Sequence, residues 1–339
     1  MKTKCLILLI LPILLTPLMA DWAQVTSLDV PVTQLSPDPS KAKAVMEKHF
    51  LSQIAANEAF LKDSPEDPHA WEAKVRIASA QGRLASIRAD REGVQQAIAS
   101  LKRLEREVPD DSLKAEAMFR RISLQWQDLG TTPDVRRENA VANARTFAAT
   151  FPKDRRSPRL LAEAAALCNT HPQIKRMLLE EASALNQDDA ISQRLADERK
   201  QLDQLDKPVD LSFIAVDGTK VDLANEHDQV TALVFWSAES GPSLVWMKYF
   251  AKFAVEQPGL RVVTVSLDRN KADLIAAMHS LNITWPTAFD GKGWENGIAR
   301  RFGINTLPSL WLINRKGTLS YLNARDSYEH RIRELLLQH

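Results

Sequence analysis

Thr231-Ala-Leu-Val-Phe-Trp236, then Ser237-Ala-Glu-Ser240-Gly241-Pro242-Ser243, then Leu244-Val-Trp-Met-Lys-Tyr-Phe-Ala-Lys-Phe253 is the stretch that decides the fold. Its first six residues are an apolar run bounded by turn formers and read as a buried strand. Its last ten repeat apolar side chains at helical spacing, and Pro242 suits the first turn of a helix. Strand, short turn and helix in that order place the side chains at 240 and 243 at a helix N-terminus. A thiol placed there would be acidified toward a reactive thiolate. Both positions are hydroxyls instead, Ser240 and Ser243, and one of them can cap the helix.

Further pieces follow in order. Leu260-Arg-Val-Val-Thr-Val-Ser-Leu-Asp268 reads as a second strand. Phe289-Asp-Gly-Lys-Gly-Trp-Glu-Asn-Gly-Ile-Ala-Arg-Arg-Phe-Gly-Ile304 carries turn signals and then a short helix. Thr306-Leu-Pro-Ser-Leu-Trp-Leu-Ile-Asn314 is a strand entered through Pro308, and Arg315-Lys-Gly317 is the turn of a hairpin. Together with VFWSAESGPSLVWM these pieces resemble the redoxin (AhpC/TSA), TlpA-like family, the exported thioredoxin-like thiol–disulfide oxidoreductases of the cytochrome-maturation kind. The resemblance covers residues 207–339. It implies a thioredoxin-like α/β domain and a cis-proline at Pro308 facing the active site. It also implies cysteines at 240 and 243, where this chain has serines, and Glu239 holds a place often taken by an aromatic residue.

Serine cannot replace the chemistry of those cysteines. Thiol–disulfide exchange needs a thiolate to attack sulfur and a second sulfur to resolve the mixed disulfide. Peroxidase chemistry on the same fold needs a cysteine too. The chain has two cysteines in all, Cys5 and Cys168. Cys5 lies in a segment expected to be removed, and Cys168 ends the Ala-rich run Leu160-Leu-Ala-Glu-Ala-Ala-Ala-Leu-Cys168, which reads as helix core. A hydrolytic Ser240 would require a base and an orienting group. The string is Glu-Ser-Gly-Pro-Ser rather than Gly-x-Ser-x-Gly, and no histidine lies nearby.

The N-terminus sets the expected location. Met1-Lys-Thr-Lys4 is basic, Cys5 to Leu18 is apolar apart from Thr16, and Leu18-Met-Ala20 offers a cleavage site. This is a secretory signal pattern over residues 1–20, with an uncleaved anchor as the alternative. Its removal turns 44 basic against 43 acidic side chains into 42 against 43, a formal net charge of −1. A near-neutral balance with no basic block argues against nucleic acid as a partner.

Residues 21–38 contain Pro31 and Pro37 and read as an extended leader. From 39 to 206 the chain is rich in Ala, Leu, Glu, Arg and Gln at helical spacing. Ser64-Pro-Glu-Asp67, Val108-Pro-Asp-Asp111 and Phe151-Pro-Lys-Asp154 punctuate it, with prolines 44 and then 43 residues apart. Breaks near Asp90, at Gly130-Thr-Thr-Pro133 and at His171-Pro172 make two helices per interval, an α-helical pair array of loosely TPR-like kind. Asp206-Lys-Pro208 reads as the boundary with the α/β domain at 207–339. Strands are expected near 211–216, 219–223, 230–236, 260–267, 309–314 and 318–323. Helices are expected near 243–256, 270–281, 294–302 and 326–338.

If Leu307-Pro308 is cis, as the resemblance implies, the backbone there can pair with an extended peptide, a mode that uses no sulfur. The expected binding residues are Glu239, Trp294, Thr306, Leu307 and Pro308, beside the replaced positions Ser240 and Ser243. Trp236 and Trp311 are expected in the core. His227, His279 and His330 have no ligand spacing, so neither a metal nor another cofactor is expected. The function expected is an exported, non-enzymatic protein that binds a protein or extended peptide. The alternatives are an oxidoreductase working through Cys168 or a partner's cysteine, and a structural spacer.

Overall fold

The computed structural model describes residues 21–30, 38–127, 132–186 and 188–338. The signal-like segment 1–20, leader residues 31–37 and the Gly130-Thr break lie outside them. Among the described residues no helix is long and apolar enough to cross a membrane. The first part is helical: α1 (Trp22–Ser27), α2 (Pro39–Asp63), α3 (Ala70–Arg88), α4 (Arg91–Glu107), α5 (Asp111–Gln127), α6 (Pro133–Thr150), α7 (Arg156–Ala166), α8 (Pro172–Leu185) and α9 (Asp189–Leu202).

Acidic side chains start several of these helices by accepting from orphan N–H groups of the first turn. Asp90 accepts from Gly93 N at 3.0 Å, Asp110 from Leu113 N at 2.8 Å and Asp154 from Arg156 N at 2.9 Å. The Pro65, Pro109 and Pro152 punctuation falls between helices, as the sequence pattern predicts. The leader differs from expectation at its start, where α1 replaces extended chain. Asp21 caps it, Val25 is buried, and Trp22 stacks on His69 with ring centroids 4.6 Å apart. Trp22 and Val25, three apart, are an apolar helical pair that the nearby prolines obscured.

The chain divides into two compact units, residues 1–136 and 137–339. In the first, consecutive helices from α2 to α5 pack together and α3 also meets α5, around Val75, Leu101, Leu104 and Leu124. In the second, α7 packs on α8, α8 on α9, and α9 on a short helix of the α/β part.

That α/β part begins with a hairpin of β1 (Ser212–Ile214) and β2 (Lys220–Asp222), turned by Asp217-Gly218. It continues with β3 (Val230–Trp236), α10 (Gly241–Val255), β4 (Leu260–Ser266), α11 (Lys271–Ser280), β5 (Thr287–Ala288), α12 (Gly297–Phe302), β6 (Ser309–Ile313), β7 (Leu319–Tyr321) and α13 (Tyr328–Leu337). The sheet order is β5-β4-β3-β6-β7, with β3 parallel to β4 and antiparallel to β6. Every residue of β3 is buried, as befits a central strand covered on both faces. One face sends Ala232, Val234 and Trp236 against Met247 and Phe250 of α10, Leu274 of α11 and Ile332 of α13. On the other, Phe235, Trp311 and Phe302 meet edge to face, with centroids 5.3 to 6.4 Å apart.

Two expectations are refined. β5 is a two-residue strand without a period to reveal it. A separate turn of 3-10 helix, Gly293–Glu295, precedes α12, where a single helix was expected. Asp206-Lys207-Pro208 lies alongside β7: Asp206 N donates to Leu319 O at 2.9 Å, Leu319 N to Lys207 O at 3.0 Å and Val209 N to Gly317 O at 2.9 Å.

Gly303 ends α12 with φ +71°, and a Cβ there would come 2.7 Å from the main-chain oxygen of Asp197 in α9. Both facts require glycine. Gly303→Ala is expected to destabilise the protein by about 2 kcal/mol or more, the left-handed conformation alone costing an L-residue roughly 1–2 kcal/mol. Gly297→Ala, where a Cβ meets nothing within 4 Å, is expected to be neutral. Urea midpoints of the two variants check this.

Candidate functional site

The turn between β3 and α10 is held from below by one carboxylate. Asp268, fully buried just past β4, accepts at Oδ1 from Ser237 Oγ at 2.7 Å, Ala238 N at 2.7 Å and Glu239 N at 3.2 Å. Its Oδ2 accepts from Ser266 Oγ at 2.7 Å. A buried carboxylate is tolerable only when donors replace water, and four do so here. Above it, Arg269 N donates to Glu239 Oε1 at 3.4 Å.

Ser240 is the N-cap of α10. Its Oγ accepts from Ser243 N at 3.3 Å, and its carbonyl accepts from Leu244 N at 3.0 Å. Ser243, one turn in, is fully buried, and its hydroxyl has no partner among the described residues. The two hydroxyls therefore have different standing: one stabilises the helix start, and the other is a polar atom in an apolar place.

Ser240, Glu239, Trp294 and Leu307 line one open cavity of about 400 Å³, together with Ser237, Leu267, Arg269 and Gly293. Leu307-Pro308 is a cis peptide. Trp294 is half exposed, Thr306 exposed, Leu307 partly buried and Pro308 buried. Thus four of the expected residues share the cavity. Thr306 and Pro308 adjoin it through Leu307, and Ser243 lies outside its lining. Among the described residues neither Thr306 nor Leu307 makes a main-chain hydrogen bond. The sequence reading missed Arg269 and Gly293. Gly293 has φ +58°, and a Cβ there would approach Arg269 Nε at 3.0 Å, so the arginine side chain lies across it.

No group of three or more His, Cys, Asp or Glu side chains is arranged to hold a metal among the described residues. Cys168 is fully buried, its Sγ donates to Ala164 O at 3.4 Å, and burial pushes its thiol up from the ordinary range. Such a thiol is a poor nucleophile.

The contrast between the hydroxyls is measurable. Ser240→Ala is expected to lose about 1 kcal/mol with the cap. Ser243→Ala is expected to be neutral or to stabilise by up to about 1 kcal/mol, because an unsatisfied buried hydroxyl is removed. Chemical denaturation of both variants checks the opposite signs.

No curated protein matches the chain in sequence. Among solved structures, a protein described as the thiol:disulfide interchange protein DsbE of Chlorobium tepidum is 26% identical, over 39% of this chain and 97% of that one, with a TM-score of 0.33. The C-terminal domain of a protein described as a thiol–disulfide oxidoreductase of Bacteroides thetaiotaomicron is 17% identical over 40% and 97%, TM-score 0.36. A secreted disulfide oxidoreductase of Mycobacterium tuberculosis is 15% identical over 37% and 96%, TM-score 0.34. Residues 205–322, which span most of the α/β part, match the AhpC/TSA family.

Proposed function

We propose that this chain is an exported redoxin-family protein that binds an extended segment of a partner protein and does not exchange disulfides. The observation that carries the reading is the main chain of Thr306 and Leu307. It is unpaired among the described residues, and Leu307 lies on the rim of a cavity shared with Ser240 and Trp294. An extended peptide laid there gains main-chain hydrogen bonds, while the half-exposed Trp294 offers apolar surface to its side chains. Ser240 and Ser243 at the head of α10 supply no sulfur, and residues 207–339 contain no cysteine. The basic start and apolar run of residues 1–20 support export.

The test gives the site a reporter thiol. In a chain with Cys5→Ser and Cys168→Ala, Ser240→Cys supplies one thiol at the cavity. Its thiolate attacks the cysteine sulfur of a ten-residue extended peptide carried as a mixed disulfide with thionitrobenzoate. The peptide becomes bonded to the protein and coloured thionitrobenzoate leaves. The peptide is expected to react about tenfold faster than free cysteine carried in the same way, since the groove orients it. Equal rates would sink the reading. The unaltered chain is expected to show no catalysed insulin reduction. Catalysis there would instead favour an oxidoreductase working through one of its own cysteines.

A further inference from the structure

Helix α9 buries polar side chains, and they point at one segment of the redoxin fold. Among its described residues Leu195, Glu198, Gln201 and Leu202 are buried. A helix face set against a core is ordinarily apolar, and a polar group there is costly unless it is satisfied. Gln201 is satisfied at both ends. Its Nε2 donates to Gly303 O at 2.6 Å and its Oε1 accepts from Asn323 Nδ2 at 3.0 Å. Asn323 in turn accepts at Oδ1 from Ser309 Oγ at 2.5 Å. Asn323 has φ +46°, a conformation in which asparagine is among the few suitable side chains.

Glu198 reaches the same segment. Its Oε1 accepts from Asn305 Nδ2 at 3.4 Å, and its other oxygen pairs with Lys175 of α8. Lys175 also donates to Asn169 Oδ1 at 2.9 Å, so this buried ammonium has both a counter-charge and a second acceptor. At the exposed margin Lys200 Nζ donates to Arg300 O at 2.9 Å.

These contacts bracket residues 303–309. Gly303 and Asn305 are held on one side of Thr306-Leu307-Pro308, and Ser309 is held on the other through Asn323. Of the three residues between them, Thr306 and Leu307 carry the main chain left without a main-chain hydrogen bond among the described residues, and Leu307 lines the cavity. We infer that α9 is a positioning element for this segment, with Gln201 and Glu198 as its positioning residues. The working unit is therefore the redoxin fold plus the last helix of the helical region. As a statement about peptide binding this rests on the groove reading above; as a statement about the segment's position it stands alone.

The experiment separates the two. In the Ser240→Cys reporter chain, Gln201→Met keeps the side-chain length and removes the donor to Gly303. Asn323→Gly keeps the left-handed conformation and removes the relay to Ser309. Each is expected to lower the peptide rate about fivefold, as one or two lost hydrogen bonds would. The free-cysteine rate should stay unchanged, which mere loss of folded protein would not produce. Arg194→Ala, on the exposed side of α9, is expected to leave both rates alone. Hydrogen exchange at the amides of Gly303 and Ile304 reads the segment with no peptide present. It is expected to quicken about fivefold or more in Gln201→Met, while the amides of β3 keep their protection. A folded Gln201→Met protein with unchanged exchange at 303–304 overturns the inference. So does unchanged peptide preference in both variants. If the reporter chain itself shows no preference for the peptide, the groove reading fails and the exchange measurement still decides the role of α9.

Discussion

A carboxylate removed from water must be met by donors at every turn, and the geometry of the candidate site follows from how Asp268 is met. Its four donors come from the end of β4 and from three consecutive residues of the turn after β3. The turn is therefore tied to the neighbouring strand by charge-assisted bonds, which are stronger than neutral ones. From this fixed turn Ser240 caps α10, and Glu239 accepts from the main-chain N–H of Arg269. The cavity takes its floor and one wall from this arrangement. It is a constraint of position and says nothing about which atom stands at 240.

That separation frames the proposed function. Sulfur chemistry is a property of two side-chain atoms, whereas strand addition is a property of main chain. Serine at both positions removes the first and leaves the frame for the second. The two serines are unequal replacements, because a sulfhydryl is a weak hydrogen-bonding group that tolerates an apolar site and a hydroxyl is not. Ser240 finds work as a helix cap, while Ser243 Oγ is left without a partner among the described residues.

Much of the α/β fold was legible because its signals are local. The apolar run 230–236, the Gly-Pro at the head of α10, and the Asn314–Gly317 turn each carry their own punctuation. Long-range polar contacts were not legible. Asp268 ends an apolar strand and looks like the first polar residue of a loop, although it is the most thoroughly bonded acid beneath the site. Arg269 is placed by Gly293, twenty-four residues on, and no period links them. Glu198 and Gln201 sit in a helix rich in charged side chains, where their burial cannot be told from exposure until the opposing segment is known. The change of period near 207 marks where strands begin, yet the chain on both sides of it is bonded into one compact unit.

The stretch from 206 to 209 also governs what the sheet presents to other molecules. β7 has β6 on one side, and on the other the N–H and C=O of Leu319, its first residue, are taken up by Lys207 and Asp206, while Val209 N donates to Gly317 O just before the strand and Pro208 contributes no donor. At the far margin β5 is two residues long, and Thr287 O already accepts from Val216 N. An exposed strand edge is a template for uncontrolled association between copies. Here neighbouring chain occupies part of each margin and both edge strands are short, which leaves little edge on which such growth could start. The proline that looks like a hinge in the sequence lies against that edge, where its missing N–H offers no donor to a further strand.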